Sequence, residues 1–184
     1  DFFDGFKSFK KTRADIIILT PDEIEKIYNT PLTYGNQHGK SCSFLDFRYR
    51  ALTMFLAFTG CRISEALDLQ IKRLDINAGK ATFIETKTNE NRTVSIFEPL
   101  ISQLKPLIEG RKPDDLVFRN TKETRVQVTD FNIDLRRRAQ AAGITKRVHP
   151  HLIRHSFATQ LLMSGVDVTM VASILGHKDI QTTF

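Results

Sequence analysis

Three histidines and an arginine fall within the stretch His149-Pro150-His151-Leu152-Ile153-Arg154-His155-Ser156-Phe157-Ala158-Thr159. Ile153, Phe157 and Leu161 recur at i, i+4 and i+8, the spacing of one buried helical face. Pro150 suits a first-turn position, where its missing N–H costs little. On that register His151 and Arg154 project from one side of the helix. An imidazole beside a guanidinium, both fixed on a rigid element, can grip an anion and move a proton next to it. A solvated helix end with chance histidines is the competing reading of this stretch alone.

The elements that must position these residues read as follows. Residues 1–18 carry Phe2, Phe3, Phe6 and Phe9 among lysines and are expected to form a linker or arm. Thr20-Pro21-Asp22-Glu23 is a helix start, with a threonine N-cap, a proline at N1 and Glu23 completing a capping box; that helix should end near Asn29-Thr30-Pro31. Residues 32–43 have loop composition. Leu52, Phe55 and Leu56 mark a buried helix over about 44–58, closed by Thr59-Gly60, and a second helix follows over Arg62–Leu69. The period then changes. Leu74–Ile76, Ala81–Glu85 and Thr93–Ile96 alternate or carry β-branched residues, with turn compositions at Asn77–Gly79 and Lys87–Asn91, which predicts a three-stranded antiparallel sheet. Helices resume at about 98–109, 127–142, 150–164 and 167–175, with a last one starting near 179. The expected class is α+β, mostly helical with one small sheet.

Composition narrows the partners. The 184 residues suffice for a proper core, and no apolar run approaches the roughly 18 residues of a membrane helix. Cys42 and Cys61 lack metal-ligand spacing, so both thiols are read as structural and the setting as reducing and cytoplasmic. The net charge of +6 comes from 27 Lys/Arg against 21 Asp/Glu, and residues 111–160 hold 11 of the former and 5 of the latter, leaving 16 against 16 elsewhere. An excess concentrated in one segment, including Arg136-Arg137-Arg138, points to a polyanion. A merely solvated basic face is the plainer explanation.

Four separated motifs decide between these readings: Thr59-Gly60-Cys61-Arg62-Ile63-Ser64-Glu65, the hairpin segment Glu85-Thr86-Lys87-Thr88-Asn89-Glu90-Asn91-Arg92, His151-Leu152-Ile153-Arg154-His155, and Leu175-Gly176-His177-Lys178. In this order and spacing they resemble the catalytic domain of the tyrosine recombinases, the lambda-integrase and Xer-like phage integrase family. The resemblance runs from about Leu19 to the end of the chain, so residues 19–184 are expected to be the catalytic domain.

The resemblance implies a site and a chemistry. Arg62 and Arg154 would clamp the non-bridging oxygens of a scissile DNA phosphate, a task suited to a guanidinium's fixed fork of donors. His151 would transfer a proton and hydrogen-bond nearby, Lys87 would protonate the leaving 5′ oxygen, and His177 would add a phosphate hydrogen bond. Glu65 would orient the reacting side chains, with His155 and His149 in supporting roles. Arg92, Arg136, Arg137, Lys146 and Arg147 would bind DNA. No metal or other cofactor is implied, and the full protein would act as a homotetramer on paired sites of double-stranded DNA. Each residue also has an ordinary reading: Arg62 as a helix-start partner of Glu65, Lys87 as a solvated turn lysine with Lys80 as its nearest rival, His177 as a helix C-terminal histidine, and Cys61 as a small buried spacer.

The chain departs from the family pattern at the nucleophile. The family's tyrosine falls nine residues after the histidine of Leu-Gly-His, two positions past Phe184, while Tyr28, Tyr34 and Tyr49 all precede Arg62. The chain is therefore expected to be a catalytic domain cut before its nucleophile and lacking the family's amino-terminal core-binding domain, inactive by itself. Alternatives are a non-catalytic DNA-binding relative, a type IB topoisomerase-like strand relaxer, and a helical protein-interaction domain. The DNA target, and a phage, transposon or chromosome-resolution role, are not readable here.

Overall fold

The computed structural model describes residues 17–34, 41–85 and 90–176. In chain order they form α1 (Pro21–Asn29), α2 (Ser41–Thr59), α3 (Ile63–Leu67), a 3-10 turn (Ile71–Arg73), β1 (Leu74–Asp75), β2 (Lys80–Glu85), β3 (Glu90–Ser95), α4 (Leu100–Ile108), α5 (Val128–Ala141), α6 (Pro150–Met163) and α7 (Val168–Leu175). The expected mostly helical α+β class holds, and the three strands make one antiparallel sheet in the order β1-β2-β3.

α2 is the pillar. Leu52, Phe55 and Leu56 are at most 1% exposed, and the helix packs against α1, α4, α5 and α6. The Phe55 ring meets Phe83 of β2 and Phe118 edge-on, at centroid separations of 6.2 and 5.4 Å, a favoured aromatic geometry. α1 begins as expected, with Thr20 Oγ1 accepting from the Glu23 N–H and the Glu23 carboxylate accepting from the Thr20 N–H. α2 ends where Gly60 takes φ +60°. That left-handed turn suits glycine and redirects the chain into α3.

Several boundaries move. α3 stops at Leu67 instead of Leu69, because the chain turns away to bond the 113–117 segment: the Val117 N–H donates to the Leu69 carbonyl at 2.8 Å. β1 is shorter than expected. β3 starts at Glu90, taking in residues read as turn, because Glu90 and Asn91 pair with Glu85 and Ile84. Residues 1–16 of the expected arm (1–18) and the helix expected near 179 lie outside the described residues. Along β3, Asn91, Thr93 and Ser95 are exposed while Arg92, Val94 and Ile96 turn inward, the period of two that a strand imposes. Arg92 therefore shares the core face, opposite Phe83 in register.

The Arg136-Arg137-Arg138 run is divided by its helix. Arg136 and Arg137 are exposed, but Arg138 is fully buried, which corrects its reading as part of a polyanion surface. Its guanidinium meets Asp134 at 2.9 Å and Asp46 at 2.8 Å and donates to the Thr30 carbonyl at 2.7 Å. The Tyr34 hydroxyl donates to Asp134. This network ties α5 to α2 and to the end of α1. Removing one partner of such a cluster strands the other charges. Arg138→Ala should lower unfolding free energy by about 3–5 kcal/mol, read as a drop in the urea midpoint; an unchanged midpoint would show that the network contributes no stability.

Candidate active site

Three arginines from three elements converge on the C-terminal end of α7. Arg92 of β3 donates to the Ile174 carbonyl, Arg154 of α6 donates to the Leu175 carbonyl at 2.8 Å, and Arg62 at the start of α3 reaches the Gly176 carbonyl at 3.4 Å. The Gly176 N–H turns back to Ala172 and Ser173, and Gly176 caps the helix at φ +70°. The next three carbonyls are those a helix leaves without an internal partner, and they sit at the negative end of its dipole. A cation at each is the arrangement electrostatics favours.

A second set of contacts fixes the same side chains from the opposite side. The Glu65 carboxylate accepts from the Arg62 backbone N–H at 2.6 Å and from its guanidinium at 3.0 Å. It also pairs with Arg92 at 2.6 Å. Arg92 lies over the Phe83 ring, 4.9 Å from its centroid, a cation–π geometry. Arg154 donates to the Gly60 carbonyl at 2.7 Å. That carbonyl is presented by the left-handed turn after α2. A Cβ at Gly60 would stand 2.2 Å from the Phe157 ring, so α6 and the turn can approach this closely only through glycine.

Arg154 is 5% exposed. Its burial, together with the neighbouring Arg62 and Arg92 charges, pulls its pKa down to about 10, against the partial support of Glu65. It still carries its charge at neutral pH. Desolvating a charge costs several kcal/mol, and hydrogen bonds from a charged group return about 1.5–3 kcal/mol each, so two carbonyls offset much of that cost without neutralising the cation. An anion placed against Arg62 and Arg154 would relieve the remaining like-charge crowding. Donors oriented before an anion arrives need no reorganisation to stabilise charge that develops on it.

The other expected site residues are placed unevenly. His151 is exposed at the start of α6, three residues before the buried Arg154, so the helix offers one inside and one at its rim. His155 is exposed as well, about 100° around the helix from Arg154, and the fold does not group it with the arginines. Lys87 and His177 lie outside the described residues. Arg136, Arg137 and Arg147 are exposed, with Arg137 also stacked near Tyr34 at 5.6 Å. Lys146 is paired with Glu23 at 2.6 Å and with the Ile18 carbonyl at 2.8 Å, which joins the chain before α1 to the 144–149 loop. Arg92 departs most from expectation: its side chain is 13% exposed and faces the arginine cluster, not the outer surface. Cys61 is 1% exposed and burial pushes its thiol up to about 12, as befits an unreactive spacer.

The three tyrosines are held elsewhere. Tyr49 packs edge-on to Phe131, Tyr28 packs against Phe58, and Tyr34 donates to Asp134. Burial, the main cause, raises the pKa of each hydroxyl, the opposite of what activates a nucleophile. Among the described residues no group of three or more His, Cys, Asp or Glu is placed to hold a metal ion, and none of their helices is long and apolar enough to cross a membrane.

Sequence reasoning missed the inward turn of Arg92, although the alternation of Thr93-Val94-Ser95-Ile96 carried it: Arg92 has the parity of Val94 and Ile96. It also missed the carbonyls of Gly60, Ile174, Leu175 and Gly176, for which no side-chain pattern exists.

Known proteins resemble the chain over nearly its whole length. Residues 18–184 match the model of the phage integrase family. The chain is 30% identical over 182 residues to a tyrosine recombinase of Pseudothermotoga lettingae, covering 98% of this chain and 59% of the relative. It is 35% identical over 147 residues to tyrosine recombinase XerD of Mycobacterium tuberculosis, covering 76% and 47%. The chain thus spans about half the length of these relatives. Among solved structures it is similar to XerA recombinase (TM-score 0.76, 27% identity, 91% of this chain and 57% of that one). It is also similar to XerH site-specific recombinase bound to difH substrate (TM-score 0.74, 28% identity, 90% and 48%).

α6, which carries both His151 and Arg154, starts with a titratable cap. The His149 Nδ1 accepts from the Leu152 N–H at 3.2 Å, which only the neutral imidazole can do. Burial first, then the charges of His151, Arg147 and Arg136, lower its pKa. The unfolded chain, with a histidine pKa near ~6.5, takes up the proton first as pH falls. Stability is therefore fully present above that value and is lost as pH drops towards the lowered folded pKa. His149→Asn keeps an acceptor without a titration, so its Tm should fall less than wild type between neutral and mildly acidic buffer. Equal falls would remove the cap from the account.

Proposed function

This chain belongs to the phage integrase family of tyrosine recombinases, and on that premise we propose that it forms the phosphate-binding centre of a site-specific DNA recombinase. The observation that carries the reading is the convergence of Arg62 and Arg154, from different helices, on the end of α7. The substrate is double-stranded DNA, and the parent protein acts on it in the cytoplasm as a homotetramer on paired sites. A tyrosine two positions past Phe184 in the parent polypeptide is the proposed nucleophile, since the burial and contacts of Tyr28, Tyr34 and Tyr49 argue against each of them.

In the proposed step the tyrosine hydroxyl passes its proton to His151 as its oxygen attacks the scissile phosphorus, and the bond to the 5′ oxygen breaks. Lys87 donates a proton to that oxygen, and a 3′-phosphotyrosine ester forms. Rejoining is the reverse, with the 5′ hydroxyl attacking and the tyrosine leaving, so the energy of the phosphodiester is retained. Arg62 and Arg154 meet the non-bridging oxygens, with His151 at the rim for proton transfer and His177 as a further phosphate donor. The clamp's preorganisation supports this assignment, because phosphoryl transfer depends chiefly on positioning and charge stabilisation. Exposed Arg136, Arg137 and Arg147 are proposed phosphate-backbone contacts. They would confer a salt dependence that scales with the phosphates neutralised.

The test uses the natural full-length protein and a nicked duplex bearing the site that it selects from a random-sequence pool by binding. A covalent protein–DNA band is expected. Arg154→Ala should reduce its rate of formation by roughly 10²–10³-fold while salt-sensitive binding persists, and Arg154→Lys, which keeps a charge at the buried position, should also be slow. Selected binding with no band from the wild-type protein would favour the non-catalytic relative. Full cleavage by Arg154→Ala would end the clamp assignment.

A further inference from the structure

Resting on the clamp reading above, we propose that Arg92 is a positioning residue for the reaction: it holds Glu65 and the end of α7 in place so that Arg62 and Arg154 present their guanidiniums together. The family resemblance suggested a DNA contact here. The geometry points inward instead.

Arg92 makes three contacts with three separate parts of the fold. One guanidinium nitrogen donates to the Ile174 carbonyl, one carbonyl before the acceptor used by Arg154. Another pairs with Glu65 Oε2 at 2.6 Å, the same oxygen that accepts the Arg62 backbone N–H. The guanidinium plane rests on Phe83, which itself packs on Phe55 of α2. Glu65 Oε1 then holds the Arg62 guanidinium at 3.0 Å. The result is a continuous path from β3 through Glu65 to Arg62, and a second from β3 through the α7 end to Arg154. The fit is close: a Cβ at Gly176 would stand 3.0 Å from Arg92 Nε, a contact the arginine would have to shift to accept.

The chemical requirement explains why an arginine stands there. One group must donate to a carbonyl and to a carboxylate lying in different directions, in a mostly covered site, without losing its charge. A planar fork does this, whereas an ammonium supplies a single point of charge. Without Arg92, Glu65 would be left with Arg62 alone and would be free to follow it, and α7 would lose one of its three cationic anchors. Misplacement of a catalytic group by about 1 Å can cost roughly 10²-fold in rate.

The experiment measures single-turnover covalent adduct formation by the full-length protein on the nicked duplex described above, with Kd for the same duplex measured in parallel. Arg92→Met keeps the packing on Phe83 and removes the fork; Arg92→Lys keeps a charge. Arg92→Met should cleave roughly 10–100-fold more slowly with Kd unchanged, and Arg92→Lys should restore part of the rate. A second substrate carries a methyl group in place of one non-bridging oxygen at the scissile phosphate. It is neutral there, so the clamp matters less and the gap between wild type and Arg92→Met should shrink. A merely loosened fold would be equally slow on both substrates, and that result would overturn the proposal. A weaker Kd with an unchanged rate would make Arg92 a DNA contact and overturn it as well. Wild-type cleavage by Arg92→Met beside an inactive Arg154→Ala would reject the role of Arg92 and leave the clamp standing. Wild-type cleavage by both would reject the clamp itself.

Discussion

The capture of three guanidiniums by three successive carbonyls at the end of α7 is the interaction on which the site depends. Three like charges brought together repel, and the fold must hold them before any anion arrives. A helix terminus is suited to this, because its last carbonyls lack internal partners and carry the negative end of the dipole. Gly176 makes it possible by ending the helix in a left-handed conformation, which turns the chain aside and leaves Ile174, Leu175 and Gly176 facing the arginines. Each neighbouring element then has a task set by this one. α2 ends in a turn whose Gly60 carbonyl holds Arg154, α3 starts with a carboxylate that holds Arg62, and β3 turns Arg92 inward.

Of the buried arginines, Arg138 and Arg154 differ in their surroundings, and those separate structure from chemistry. Arg138 is enclosed by Asp134, Asp46, Tyr34 and the Thr30 carbonyl. Against the burial that works to lower it, the Asp134 hydrogen bond and the surrounding charges raise its pKa. That charge is matched within the fold and ties helices together. Arg154 donates to two neutral carbonyls, and burial first, then the charges of Arg62 and Arg92, lower its pKa to about 10 against the partial support of Glu65. A cation oriented by dipoles and crowded by like charge favours an anion, whereas one saturated by carboxylates has nothing to gain from it. Burial alone would not have told them apart.

The fold was largely legible because its signals are local. The capping box at Thr20 and Glu23, the apolar spacing of Leu52, Phe55 and Leu56, and the alternation that marks the hairpin each follow from one stretch of chain. Errors arose where distant residues intervene. α3 is cut short because Leu69 bonds Val117, and β3 is lengthened by pairing with β2. The run Arg136-Arg137-Arg138 was read as a surface, but a helix places consecutive residues about 100° apart, and Asp46 and Asp134 were waiting on one side of it.

The residue types and their spacing, by themselves, carried the resemblance to the family, and with it the set of arginines, histidines and lysine that the resemblance implies. The placement of Arg62, Arg92 and Arg154 was decided only by the tertiary structure. Gly60 and Arg154 are 94 residues apart, Arg62 and Gly176 are 114, and Arg92 and Ile174 are 82. Backbone carbonyls have no identity in a sequence, so nothing local distinguishes the ones that receive an arginine. Only the packing of α2, α6, α7 and the sheet around one core brings them opposite the guanidiniums, and with that it turns Arg92 from a surface charge into part of the site's frame.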